Sequence, residues 1–125
     1  MARRILVIDD DAQIRAVASA TLSLVGMWEV STASSGEEGI AQAAAGRPDA
    51  ILLDVMMPDM DGRTTLRRLR ASPTTAEIPV IMLTATLGPD GTAPIFDQPV
   101  AGVLGKPFDI MGLAGDVAAV LGWDT

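Results

Sequence analysis

The chain contains no cysteine and no histidine, and Lys106 is its only lysine. Without cysteine, disulfides, thiol chemistry and thiolate metal sites are excluded. Without histidine, the chain has neither an imidazole base nor an imidazole metal ligand. The groups that remain for chemistry are carboxylates, hydroxyls and a single amine.

Positive charge is also scarce, because the formal net charge is −7. This balance argues against nucleic-acid binding, since a phosphate backbone requires a positive surface. No apolar run reaches the ~18–20 residues that span a bilayer, and the aspartates at 9–11 end the run after Arg4 before a signal peptide could form. The sequence therefore predicts a cytoplasmic protein without membrane association, with residues 1–125 as one domain.

One stretch, ILLDVMMPDMDG at residues 51–62, combines a buried strand with a polar turn. The apolar run at 51–53 is too short for a helix and suits a central parallel strand. Pro58 prevents the strand from continuing. Asp54 therefore stands at the carboxyl end of a buried strand, where open α/β sheets bind their ligands.

Strands and helices alternate along the rest of the chain. Further strands are predicted at residues 5–8, 29–33, 79–83 and 100–104. Helices are predicted at residues 12–25, 35–45, 62–71 and 108–121, with Ser35 and Asp61 as N-caps. Residues 88–99 are rich in glycine and proline, so a fourth helix there would be short or irregular, with at most two turns at 92–98.

The apolar spacing also predicts which side chains face the core. Val25 is expected to face inward in the first helix, and Ile110 in the last. Arg63, Arg67 and Arg70 are expected to point outward from the helix at 62–71. The outer face of the first helix carries only small side chains and would suit docking of another helix. These side chains are Ala16, Ser19, Ala20 and Ser23.

The alternation of five strands with five helices predicts an α/β fold with a doubly wound, flavodoxin-like parallel sheet. The apolar strands at 5–8, 51–53 and 80–83 are expected in the middle of the sheet. The half-polar strand at 29–33 is expected at an edge. This arrangement is the strand order 2-1-3-4-5, whose cleft lies between the first and third strands.

Polar side chains follow four of the five predicted strands. They are Asp9 and Asp10 after the first strand, Asp54 after the third, Thr84 after the fourth and Lys106 after the fifth. Parallel strands place these ends at one edge of the sheet, so the side chains should converge. Like charges about 4 Å apart repel by about 4 kcal/mol at an effective dielectric constant of about 20, and a cation would relieve that repulsion. An all-oxygen ligand set favours Mg²⁺, with Mn²⁺ as an alternative.

Each of these residues also has an ordinary structural explanation. The aspartates at 9–11 could cap the first helix, Thr84 is common at a strand end, and Lys106 could be a solvated turn residue. Their joint placement at one edge favours a functional site. In that site Asp54 would be a nucleophile that forms an acyl phosphate, while the cation, the amine and the hydroxyl stabilise the phosphoryl group.

Four segments resemble the receiver domain of two-component response regulators of the chemotaxis-regulator type. These segments are ILVIDDD, ILLDVMMPDMDG, IPVIMLTA and Lys106-Pro107-Phe108. The resemblance covers the whole chain. It implies that Asp54 accepts a phosphoryl group from a sensor histidine kinase or a histidine phosphotransfer protein, and that the chain then switches conformation to control an output domain or partner. It implies no enzymatic activity beyond self-phosphorylation and slow self-dephosphorylation.

The resemblance also assigns roles to single residues. The Mg²⁺ ligands that it implies are Asp9, Asp10, Asp54 and the main-chain carbonyl of Met56, with Asp9 acting partly through water. Thr84 and Lys106 match the residues that bind the phosphoryl oxygens. The peptide bond before Pro107 matches one that is often cis in the family.

The chain departs from the family pattern at two places. Val103 stands where the family usually has a rotating tyrosine or phenylalanine, and residues 88–99 replace a regular helix. Met56 and Thr86 occupy the two positions that would orient a hydrolytic water. Because a thioether and a short hydroxyl are poorly suited to that task, the phosphorylated state is expected to hydrolyse slowly.

Three other function classes stay open. A phosphatase or phosphotransferase with an aspartyl nucleophile typically needs a second acid two residues later, where Met56 stands. A flavodoxin-like cofactor binder would need a phosphate-binding loop after the first strand, where three aspartates would repel phosphate. A phosphorylation-independent interaction module of the same fold would suit the unusual segment at 88–99.

Overall fold

The structure is a computed structural model that describes residues 3–85 and 96–123, with a five-stranded sheet at its centre. The strands are Arg4–Ile8 (β1), Glu29–Ala33 (β2), Ala50–Asp54 (β3), Val80–Thr84 (β4) and Gly102–Gly105 (β5). Their order is β2-β1-β3-β4-β5, and every pairing is parallel. The predicted fold class and strand order are therefore confirmed.

Side-chain burial explains which strands lie inside the sheet. Every residue of β3 and β4 is buried, and in β1 only the first residue is exposed. In β2 exposed residues alternate with partly or fully buried ones, and this strand lies at the sheet edge as predicted. A central parallel strand is covered on both faces, so only an apolar sequence can occupy it.

Four helices are described, and they cover two separate cores. The helices are Ala12–Leu24 (α1), Gly36–Gly46 (α2), Gly62–Ala71 (α3) and Leu113–Leu121 (α4). Leu22 of α1 and Val117 of α4 belong to one core, whereas Ala43 of α2 and Leu66 of α3 belong to the other. None of the described helices has the length and hydrophobicity needed to span a bilayer.

Side-chain oxygens cap the first three helices. Asp61 Oδ1 accepts a hydrogen bond from Thr64 N at 2.8 Å, and Ser35 Oγ accepts one from Glu38 N at 3.2 Å, so both predicted N-caps are confirmed. At the start of α2, Glu38 Oε1 also accepts a hydrogen bond from Ser34 N at 3.3 Å. Asp11 caps α1 in the same way.

The last helix begins five residues later than the sequence predicts. Thr21 Oγ1 donates to the carbonyl oxygen of Ile110 at 2.6 Å, and Asp109 Oδ1 accepts from Met111 N at 3.1 Å. These bonds form a turn before α4, and the side chain of Ile110 is 53% exposed. The prediction that Ile110 faces the core was wrong, because a tertiary contact with α1 replaces the first helical turn.

Smaller differences concern other element ends. Val25 is the C-cap of α1 and is 42% exposed, so its predicted inward position was wrong. The last strand occupies Gly102–Gly105 instead of 100–104. Arg70 was expected to point outward, but it is partly buried. Residues 86–95 lie outside the described part, so the predicted irregular helix at 92–98 is tested only at 96–98, which are not helical.

The start of α3 packs directly against the end of β3. Gly62 N donates to the carbonyl oxygen of Val55 at 2.8 Å. A Cβ atom at Gly62 would overlap the carbonyl oxygen of Asp54 and would lie 2.8 Å from the Cα of Val55. Only glycine permits this approach, which fixes α3 to the backbone of Asp54.

Gly62→Ala is expected to lower the free energy of unfolding by about 1–3 kcal/mol, because the added methyl group must displace backbone atoms of β3. The matched control is Gly115→Ala in α4, where a Cβ atom meets nothing within 4 Å. That control should gain about 0.5–1 kcal/mol, because alanine favours the helix. Urea denaturation followed by tryptophan fluorescence would measure both changes. Equal effects of the two substitutions would contradict this account of Gly62.

Candidate functional site

The carboxyl edge of the sheet carries the predicted cluster of polar side chains. Asp9 follows β1, Asp54 ends β3, Thr84 ends β4, and Lys106 follows β5. Asp9, Asp54 and Thr84 are 0%, 4% and 3% exposed, whereas Asp10 is exposed. Asp9, Asp10 and Asp54 each offer a carboxylate oxygen, and these three oxygens lie within 4.8 Å of one another.

The single lysine lies between two of these carboxylates. Lys106 Nζ is 2.8 Å from Asp9 Oδ2 and 3.1 Å from Asp54 Oδ1. Its backbone N–H donates to the carbonyl oxygen of Thr84 at 2.8 Å, which fixes the residue beside the end of β4. The Lys106–Pro107 peptide bond is cis, as the resemblance implied. The side chain of the only lysine therefore contacts both carboxylates, one that follows the first strand and one that ends the third.

Burial and charge act in opposite directions on these groups. Burial raises the pKa of Asp54, and the charge of Asp9 adds to that rise, while the hydrogen bond from Lys106 opposes it. Burial alone would lower the pKa of Lys106, but its bonds to Asp9 and Asp54 outweigh that effect and raise it. Lys106 is therefore held in its charged form between the two acids.

The backbone around Asp9 is fixed by several hydrogen bonds. Asp9 Oδ1 accepts from Asp11 N at 2.9 Å, and Asp9 N donates to the carbonyl oxygen of Ala33 at 3.1 Å. Arg15 Nη1 donates to the carbonyl oxygen of Asp9 at 2.8 Å. The sequence interpretation missed Arg15. The sequence offered one indication of its role: Arg15 lies near the start of α1, shortly after the aspartates at 9–11.

The donor set of the site fits a divalent cation. Three carboxylates and one ammonium group leave two negative charges without a counter-charge in the cluster. All available donors are hard oxygens, which is the ligand type that Mg²⁺ prefers. Asp10 is exposed and is therefore accessible to a hydrated ion.

Met56 lies in the turn that follows Asp54. Its backbone N–H donates to Asp54 Oδ1 at 3.4 Å, and its side chain is 70% exposed. The turn is thus folded back on the carboxylate. The role of the Met56 carbonyl as a metal ligand stays a prediction.

Comparison with known proteins agrees with this geometry. The family profile of the response regulator receiver domain matches residues 5–118. The chain therefore belongs to the response regulator receiver family, whose members are the receiver domains of two-component systems.

Two curated relatives are response regulators. RpaA of Synechocystis sp., a DNA-binding dual master transcriptional regulator, is 42% identical over 118 residues, which are 94% of this chain and 48% of RpaA. PleD of Caulobacter vibrioides is 43% identical over 110 residues, which are 87% of this chain and 24% of PleD. The chain spans less than half the length of either relative.

Solved structures share the fold over nearly the whole chain. A putative response regulator from Chloroflexus aurantiacus J-10-fl has a TM-score of 0.85 and 33% identity, and the alignment covers 98% of this chain and 99% of that one. The receiver domain of the sensor histidine kinase PA1611 from Pseudomonas aeruginosa PAO1 has a TM-score of 0.82 and 27% identity, with the same coverage. That structure contains a magnesium ion coordinated in the active-site cleft.

Asp10→Asn is expected to raise the melting temperature of the metal-free protein by roughly 2–4 °C, because it removes one of three neighbouring like charges without removing a contact of Lys106. Added Mg²⁺ should stabilise the unsubstituted protein by about 2.7 kcal/mol at 100 times its dissociation constant, and the variant much less at the same concentration. Differential scanning calorimetry with and without Mg²⁺ measures both effects.

The control for this comparison is Asp116→Asn, which removes an exposed charge from α4, away from the cluster. It should leave the response to Mg²⁺ unchanged. An equal Mg²⁺ response in the protein with Asp10→Asn would exclude Asp10 as a ligand.

Proposed function

We propose that this receiver accepts a phosphoryl group on Asp54 from the phosphohistidine of a sensor histidine kinase or of a histidine phosphotransfer protein. The observation that carries the proposal is the position of Lys106 Nζ between Asp9 and Asp54 at the carboxyl edge of the sheet. Phosphorylation would then switch the conformation of the chain and control an output domain or partner. The proposal treats residues 1–125 as one receiver domain and includes the cytoplasmic location predicted from the sequence.

The proposed transfer is a nucleophilic displacement at phosphorus. A carboxylate oxygen of Asp54 forms the new P–O bond as the P–N bond to the donor imidazole breaks. The electron pair of the broken bond stays on the imidazole nitrogen, which then takes a proton. The ammonium group of Lys106 and the hydroxyl of Thr84 would bind the phosphoryl oxygens, where negative charge is concentrated.

The residues that would hold Mg²⁺, or Mn²⁺ in its place, are Asp9, Asp10, Asp54 and the Met56 carbonyl. When bound, the ion would neutralise charge on the carboxylates and on the phosphoryl oxygens. Lys106 contributes to the same compensation from the β5 side. Since Asp9 already accepts hydrogen bonds at both carboxylate oxygens, a water-mediated contact with the ion suits it better than a direct one.

The chain is proposed to act as a switch and not as an enzyme that turns over a separate substrate. Loss of the phosphoryl group needs a water molecule aligned with the phosphorus atom. Met56 is exposed beside Asp54, but its thioether is only a weak hydrogen-bond acceptor. Thr86, the second residue expected to influence this water, lies outside the described part of the chain. Slow self-dephosphorylation therefore stays part of the proposal.

Treatment with a small phosphodonor and Mg²⁺ should add one phosphoryl group to the intact protein. Chelation of Mg²⁺ or Asp54→Asn should abolish the addition, because each removes an element that the transfer requires. Intact-protein mass spectrometry measures the label directly. The matched control is Asp59→Asn, which changes an exposed carboxylate in the same turn and should keep the label.

Persistent labelling after Asp54→Asn would exclude Asp54 as the acceptor. Absence of any label on the unsubstituted protein, with both small donors and a kinase, would instead favour the phosphorylation-independent interaction module.

The exposed face of α1, the helix that follows Asp9 and Asp10, is the docking face that we propose for the kinase. Ala16 and Ala20 are exposed on α1, and Ile110 and Met111 extend this face with side chains that are 53% and 73% exposed. Val17, Ala20, Leu24, Ile110 and Met111 line a shallow apolar groove there. A helix that carries the donor histidine would bury its apolar side chains in this groove.

Ala16→Glu and Ala20→Glu are each expected to slow phosphotransfer from a kinase by about tenfold, equivalent to about 1.4 kcal/mol, because they place a charge in an apolar contact. Labelling by the small phosphodonor should stay unchanged. The control is Ala44→Glu, at an exposed position of α2. Radiolabel transfer from a phosphorylated kinase measures the rate. A normal rate in both α1 variants would place the docking face elsewhere.

A further inference from the structure

Three arginines on one face of α3 contact the segment that leads into β5. Positions 63, 67 and 70 are spaced by four and three residues, so their side chains lie in a row along the helix. The contacts are Arg63 with Phe96, Arg67 with Asp97, and Arg70 with Pro99. We call this row the arginine ladder.

Each contact of the ladder has a different chemistry. The guanidinium of Arg63 lies 4.5 Å from the ring centre of Phe96, which is a cation–π distance. Arg67 Nε donates to Asp97 Oδ2 at 2.7 Å, and both side chains are about half exposed, at 52% and 53%. An ion pair at that exposure is weak and sensitive to salt. This middle contact of the ladder can therefore open without a large cost in stability.

Within the described part of the chain, Arg70 donates its hydrogen bonds to backbone carbonyl oxygens. Its Nε and Nη2 donate to the carbonyl oxygen of Pro99 at 3.2 and 3.1 Å, and its Nη1 donates to the carbonyl oxygens of Ala76 and Ile78 at 3.1 and 2.7 Å. These bonds use the planar, forked geometry of the guanidinium group. Arg70 thus ties α3 to the loop before β4 and to the segment before β5.

One end of the ladder helix is fixed to the proposed phosphoacceptor. The first residue of α3, Gly62, donates its N–H to Val55 and leaves no space for a Cβ atom against the carbonyl oxygen of Asp54. A displacement of the backbone after Asp54 must therefore move the start of α3.

The segment that the arginine ladder contacts is also linked to Asp54 through the last strand. Ala101 N donates to the carbonyl oxygen of Val80 at 2.7 Å and begins the pairing of the last strand. That strand, β5, leads to Lys106, whose Nζ lies 3.1 Å from Asp54 Oδ1. Asp54, α3, the arginine ladder, residues 96–101 and Lys106 thus form a closed loop of contacts.

We propose that the arginine ladder couples the state of Asp54 to the position of residues 96–99, so that phosphorylation weakens the hold of α3 on this segment. The proposal rests on the proposed function of Asp54 as the phosphoacceptor. A phosphoryl group on Asp54 changes both ends of the loop, since it displaces the Lys106 contact and the turn that precedes α3. The closed ladder accompanies the direct contact between Lys106 and Asp54.

Coupling of this kind is reciprocal. If phosphorylation opens the ladder, then a weakened ladder favours the phosphorylated form. Beryllofluoride with Mg²⁺ is a suitable probe, because it mimics a phosphoryl group on a carboxylate without a transfer step. Arg70→Ala should bind it more tightly than the unsubstituted protein by about fivefold or more. Arg67→Ala, which loses only an exposed ion pair, should bind it more tightly by a smaller factor of about two to five.

The matched control is Arg68→Ala, which removes an exposed arginine from the same helix, one position from Arg67 and outside the three ladder contacts. It should leave the affinity for beryllofluoride unchanged. The exchanged pair Arg67→Asp with Asp97→Arg should return the affinity towards the original value, because it restores an ion pair. Isothermal titration measures these affinities.

Hydrogen exchange at residues 96–101 supplies a second measurement, and it should rise in the unsubstituted protein when beryllofluoride binds. Unchanged or weaker affinity in both Arg67→Ala and Arg70→Ala would overturn the proposal. Failure of the unsubstituted protein to bind beryllofluoride would reject the function of Asp54 itself, and the ladder proposal with it. The two failures are distinguishable, because only the second affects the unsubstituted protein.

Discussion

The contact of Lys106 with Asp9 and Asp54 is the interaction on which the carboxyl edge of the sheet depends. Two buried carboxylates that come from neighbouring strands would repel each other strongly without a counter-charge. The ammonium group lies 2.8 and 3.1 Å from their oxygens and supplies that charge. Its position requires a fifth strand that pairs with β4 and ends at Gly105. The charge balance of the site therefore depends on the topology of the sheet.

This balance is incomplete, because the cluster contains three carboxylates and one ammonium group. Asp10 adds a third carboxylate at the exposed side of the cluster, and burial raises the pKa of Asp54. An arrangement selected only for stability would contain fewer acids at this edge. Excess negative charge instead favours the binding of a cation. The cation, the single amine and the buried hydroxyl of Thr84 would together offset the repulsion of a group that carries negatively charged oxygens.

The sequence predicted the sheet and the acidic site because both depend on local patterns. Apolar runs that end in Asp9, Asp54, Thr84 or Lys106 identify strands and their carboxyl ends together, and parallel pairing then brings those ends to one edge. The start of α4 could not be predicted in this way. It depends on a hydrogen bond between Thr21 and Ile110, which are 89 positions apart. Helical spacing alone cannot reveal a contact between distant residues.

The contacts of the arginines of α3 also could not be predicted from helical spacing. Their spacing predicted that they point outward, because the sequence of a helix does not reveal which carbonyl and aromatic groups its side chains contact. The structure instead places Phe96 under Arg63, and Phe96 packs with Val100 and Val103 against the core beneath α3. Val103 stands on β5 where the family usually has a rotating aromatic side chain. In this chain the aromatic group on that side of the sheet comes from the preceding segment. A change at Val103 can therefore reach the aromatic side chain on that face of the sheet through residues 96–100, the segment that α3 contacts.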